Sequence, residues 1–144
     1  MKKITALVVL LSMAHMAMAQ ETVKIFVNSK AAGNTVAEGG ENLSTVKIKK
    51  MKSALVKTIT LTTSGAFSNN AMYKKTVQVM DGEVLLFTVA ETKNAAGSFT
   101  LPATVLSKKL NAGKKIKLVL QLDPANDKMM MPSRIIPLCF MVMQ

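Results

Sequence analysis

The chain has 144 residues, 19 of them basic and 8 acidic, giving a formal charge of +11, with one histidine, one cysteine and no tryptophan. That length suits one domain with its own core, and seven glycines and four prolines are too few for a fibrous or disordered chain. A single cysteine excludes an internal disulfide, so stability has to come from packing.

Lys2 and Lys3 form a positive start, and Ile4 to Met13 is apolar apart from Thr5 and Ser12. Ala17-Met18-Ala19 places small residues where a signal peptidase requires them, so residues 1–19 read as a signal peptide cleaved before Gln20. The apolar stretch is shorter than the roughly 20 residues of a spanning helix, and no cysteine near the cleavage point offers a lipid anchor. The expected product is periplasmic or secreted and does not span the membrane once cleaved. Cleavage takes two of the 19 basic residues and the only histidine, His15, leaving a charge of +9 over residues 20–144.

The rest of the chain shows period-two patterns, which predict strands rather than helices. Val23, Ile25 and Val27 alternate with Lys24 and Phe26; Val46 and Ile48 with Lys47 and Lys49. Leu55, Ile59 and Leu61 alternate with a threonine-rich face, and Tyr73, Val77 and Val79 with Lys74, Thr76 and Gln78. After the Asp81-Gly82 hairpin signal, Val84 to Val89 is apolar on both faces except Thr88, as in a central strand. A weak strand over Ser98–Leu106 is interrupted by Pro102; Ile116 to Leu122 alternates cleanly, and Ile135 to Met143 closes the chain.

Seven or eight antiparallel strands joined by short turns, without a crossover helix, predict an all-β fold. The expected form is an immunoglobulin-like antiparallel β-sandwich over 20–144, lacking the Cys–Trp–Cys core of antibody domains. An eight-stranded outer-membrane barrel is the structural rival, but one tyrosine and no tryptophan leave nothing for aromatic girdles.

Without histidine after cleavage, serine–histidine–acid triads and imidazole metal sites are excluded. The carboxylates are scattered and no phosphate-binding glycine loop occurs; neither catalysis nor a cofactor is expected. Three weaker features remain. Asp123, Asn126 and Asp127 supply oxygen donors of the kind calcium takes, or simply an Asx turn. Met129, Met131, Met141 and Met143 supply thioethers that suit Cu(I), or fill a core. Lys24, Lys47, Lys49, Lys115 and Lys117, alternating with apolar residues, predict a basic sheet face.

These features point to an exported, non-catalytic binding or assembly module that acts through that face or through loop tips. A periplasmic methionine-based Cu(I) carrier is the alternative. The expected partner is an anionic glycan or another protein of the envelope or exterior. Nucleic acid is not expected, since the chain has one arginine and almost no aromatic side chains for stacking. The apolar 138–143 run is expected either inside a sheet or donated to a neighbour.

Overall fold

The computed structural model describes residues 20–37 and 43–144; the expected leader lies outside them. The described residues form a two-sheet β-sandwich. Its elements are β1 (Glu21–Val27), β2 (Lys30–Ala37), β3 (Thr45–Ile48), β4 (Ile59–Gly65), β5 (Tyr73–Asp81), β6 (Val84–Ala90), β7 (Ser98–Leu101), α1 (Ala103–Asn111), β8 (Ile116–Pro124) and β9 (Arg134–Met143). The first sheet runs β2-β1-β4-β7 and the second β3-β9-β8-β5-β6.

Alternation along the strands builds the core. Val23, Ile25 and Val27 of β1 are buried while Thr22 and Lys24 are exposed. Leu118, Leu120 and Leu122 of β8, beside Val77 and Val79 of β5, meet Ile25, Ile59, Leu61 and Phe99 of the first sheet in one apolar cluster. Both sheets are open, so the described strands do not close into a barrel.

Several expectations need correction. Residues 103–111 form a helix, not the tail of a strand. Pro102 precedes its first turn, where a missing N–H costs nothing, and Ala103, Leu106, Ser107 and Leu110 are buried along one face. Gly113, at φ +80, follows its end. The β3–β9 pair is parallel, so the second sheet is mixed. Leu55 falls in a 3-10 turn, Ser53–Leu55, and β4 starts only at Ile59. β2 has no counterpart among the predicted strands. β6 is an edge strand rather than a central one, with Val84 62% exposed. The 138–143 run, in contrast, lies inside a sheet, between β3 and β8.

One side of the sandwich is closed by its two edge strands. A Cβ at Gly33 of β2 would lie 2.3 Å from Cγ1 of Val46 of β3, so only glycine allows this approach.

Candidate functional site: a lysine-rimmed groove

The site starts from a turn. Asn28 and Ser29 both take positive φ, +49 and +65, the geometry that lets two residues link twisted antiparallel strands. The Asn28 side chain then fixes the neighbouring chain: its Nδ2 donates to the Leu55 carbonyl (2.7 Å), and its Oδ1 accepts from the N–H of Lys57 (2.8 Å) and of Thr58 (3.2 Å). This holds the segment after β3 beside the start of β2. Lys50 N–H donates to the Gln144 carbonyl, and Asn111 Nδ2 donates to Ser53 Oγ, so the ends of β9 and α1 also anchor that segment.

Three adjoining depressions result. The first is lined by Lys24, Phe26, Ala31, Ala32, Gly33 and Asn34. The second, about 200 Å³, shares Ala31 and Ala32 and adds Val27, Lys30, Ile48, Lys49 and Met51. The third shares Met51 and adds Lys50, Lys52, Ser53 and Asn111. The shared residues make this a continuous apolar floor rimmed by five lysines, all of them exposed, with no acidic side chain among the described lining residues. Among the described residues the ion pairs are Lys75–Glu91 and Lys109–Asp81, and neither involves the rim. Cations gathered around a low-dielectric floor focus a positive potential, which an anion relieves.

The predicted basic residues divide between the two sheets. Lys24, on the outer surface of the first sheet, and Lys49 both belong to the rim described above. Lys47 and Lys117 lie on the outer surface of the second sheet, aligned with Val142 and Phe140 respectively. Lys115 sets its Nζ 4.1 Å from the Phe140 ring centroid, a cation–π contact. The five therefore share no single face: Lys24 and Lys49 border the groove, while Lys47, Lys115 and Lys117 lie on the second sheet beside Val142 and Phe140. Lys30, Lys50 and Lys52 were missed by a reading of strand alternation. The signal for two of them was local density, Lys47-Ile48-Lys49-Lys50-Met51-Lys52.

The loop after β8 is stitched as a turn. Asp123 accepts from Ser133 Oγ at 2.7 Å and from Gln121 Nε2 at 3.0 Å, and Asn126 Oδ1 accepts from the Lys128 N–H at 3.0 Å. Asp127 is exposed. No group of three or more His, Cys, Asp or Glu side chains is placed to hold a metal among the described residues.

The four methionines flank the two ends of β9. Met141 and Met143 pack against the core near the end of β9, and Met131, which like Met129 precedes its start, packs against the same core. From Arg134 to Met141 the strand rises about 23 Å at roughly 3.3 Å per residue, while thioether coordination needs all sulfurs within a few Å of one ion.

Cys139 is fully buried, and desolvation pushes its thiol from 9.0 up to about 12. It stays protonated and inert at neutral pH. No helix of the described residues is long and apolar enough to cross a membrane.

No family model, curated protein or solved structure matches the chain.

Proposed function

We propose that the protein is an exported, non-catalytic binding module, an immunoglobulin-like sandwich that holds an anionic glycan in the lysine-rimmed groove. The observation that carries the reading is the groove itself: Lys24, Lys30, Lys49, Lys50 and Lys52 around an apolar floor, with no acid among the described lining residues. Sugar rings present C–H faces suited to such a floor, while their acidic groups suit the rim.

The immunoglobulin-like assignment draws on the strand order. β4, β5, β8 and β9 correspond to the B, C, F and G strands, and β7 beside β4 to strand E. The parallel β3–β9 pair corresponds to a first strand split between both sheets. Export rests on the leader-like residues 1–19. The non-catalytic reading is supported by how four of the six described acidic side chains are used. Glu21 is bonded to a turn, Glu91 and Asp81 are paired with lysines, and Asp123 is bonded to Ser133 and Gln121.

Two triple variants of equal charge test the proposal on an immobilised acidic polysaccharide. Lys30→Glu/Lys49→Glu/Lys52→Glu should weaken binding at least tenfold, about 1.4 kcal/mol. Lys47→Glu/Lys115→Glu/Lys117→Glu should leave most of it. Equal losses would mean that net charge alone drives retention, and the groove would be set aside.

A further inference from the structure

The three depressions of the groove come in a fixed order. The first and second share Ala31 and Ala32, the second and third share Met51, and the first and third have no described lining residue in common. The backbone explains the first junction. Ile25 of β1 aligns with Gly33 and Phe26 with Ala31, so Ala32 is an extra residue and β2 bulges there. A bulge bends its strand and breaks the strict alternation of side chains. Ala31 is exposed while Ala32 packs partly against the core, and both line the two depressions that meet at the bulge.

The path therefore starts on the outer surface of the first sheet, beside Lys24 and Phe26, and crosses β2. It continues where Val27 and Ile48 border the core, and ends beside Ser53 and Asn111. Each stage has its own cations: Lys24 in the first, Lys30 and Lys49 in the second, Lys50 and Lys52 in the third. Lys24 aligns with Asn34, and Val27, three residues further along β1, aligns with Lys30. The two lysines are thus rooted about 10 Å apart along the strand, at 3.3 Å per residue, and serve separate anionic groups.

We infer that the groove takes a linear acidic glycan lengthwise, one sugar to each depression, so that at least three successive units each present an anionic group. This rests on the groove being the glycan site and adds the order, length and charge spacing of what fills it. A compact anion meets the lysines of one depression and leaves the others unpaired. A chain with recurring charge meets all five, because once one unit is held the next is already concentrated beside its own lysines. The crossing of β2 at the bulge further favours units joined by rotatable linkages over a flat, rigid polyanion.

Calorimetric titration of the purified chain with galacturonate oligomers of two and six units tests the inference. A lysine newly reached by a longer ligand should tighten binding about threefold, as an exposed ion pair does. The dimer fills best the second and third depressions, which carry two lysines each. Lys24→Ala should therefore weaken the hexamer about threefold and leave the dimer unchanged, whereas Lys49→Ala/Lys52→Ala should weaken both. Equal affinity of dimer and hexamer for the wild-type chain overturns the inference. So does a Lys24→Ala variant that weakens both ligands alike, or neither; the groove itself still stands if Lys49→Ala/Lys52→Ala weakens them. If that double variant changes nothing, or no oligomer binds, the groove reading falls and this inference with it.

Discussion

Ser68 donates its hydroxyl to the carboxyl group of Glu21, although the two residues are 47 positions apart and both are fully buried. Glu21 also accepts from the N–H groups of Phe67 (2.8 Å) and Ser68 (3.3 Å), so one side chain on β1 satisfies the turn that follows β4. Ser68 Oγ lies 2.7 Å from Thr63 Oγ1 as well, completing a small polar network at the edge of the core. Glu21→Ala leaves those donors buried without a partner, at about 2–3 kcal/mol. Ser68→Ala leaves Glu21 its two backbone donors and should cost about 1 kcal/mol. Urea denaturation of the two variants checks the ranking, and a Ser68→Ala loss as large as that of Glu21→Ala would contradict it.

Lys75 and Glu91 form an unequal pair. The Lys75 side chain, 5% exposed, lies 3.5 Å from Glu91, whose own side chain is 28% exposed and also accepts from the Gly97 N–H at 2.8 Å. Glu91→Gln strands a buried ammonium and should cost roughly 3 kcal/mol. Lys75→Met keeps the packed stem and leaves Glu91 with Gly97 and water, for about 1 kcal/mol or less. The reverse order in thermal melts would show that burial does not govern this pair.

Gly97 and Gly82 separate two reasons for glycine. Both take positive φ, +72 and +60, but a Cβ at Gly97 would lie 2.2 Å from the Thr63 carbonyl oxygen, and one at Gly82 meets nothing within 4 Å. Gly82→Ala should cost about 1–2 kcal/mol, the strain of the left-handed backbone alone. Gly97→Ala must also displace the Thr63 N–H to Gly97 carbonyl bond of 2.7 Å that ties the β6–β7 connection to β4. A total above about 3 kcal/mol is expected. Similar midpoints for the two variants would refute the distinction.

Cys139 makes stability fall in alkali. In the folded chain burial holds the thiol protonated up to about 12, whereas the unfolded chain ionises near 9.0. Between those values the unfolded state binds fewer protons, so stability declines with rising pH, by at most about 1.4 kcal/mol per unit from this group. Cys139→Ala should flatten the decline between pH 9 and 12 relative to wild type, even though it lowers stability at neutral pH through a cavity. At pH 8 a thiol reagent should modify the protein only at its unfolding rate; prompt labelling of folded chain would sink the account.

The strands legible in the sequence are those with one wet and one dry face. Val23–Val27 and Ile116–Leu122 were visible because their alternation records burial directly. β2 was not, since Lys30–Ala37 buries only Ala37 and takes its strand form from the Asn28-Ser29 turn and from pairing with β1. The helix had a readable signature that strand periodicity obscured: Ala103, Leu106 and Leu110 at helical spacing, Lys108 and Lys109 in the last turn, and Gly113 after it. The groove was half legible, through the lysine density of residues 47–52.

Composition by itself decided that the chain is strongly basic, has no disulfide to rely on, and has no imidazole after residue 15. Alternation decided which side chains of most strands face inward, because burying an apolar surface depends on local pattern. Partnership between strands was decided only in three dimensions. That Val84–Ala90 lies at an edge and that Lys30 joins Lys49 and Lys52 around one floor both depend on pairings between distant segments. Backbone hydrogen bonding is the same for every residue type except proline, so a short stretch of sequence does not encode its neighbour.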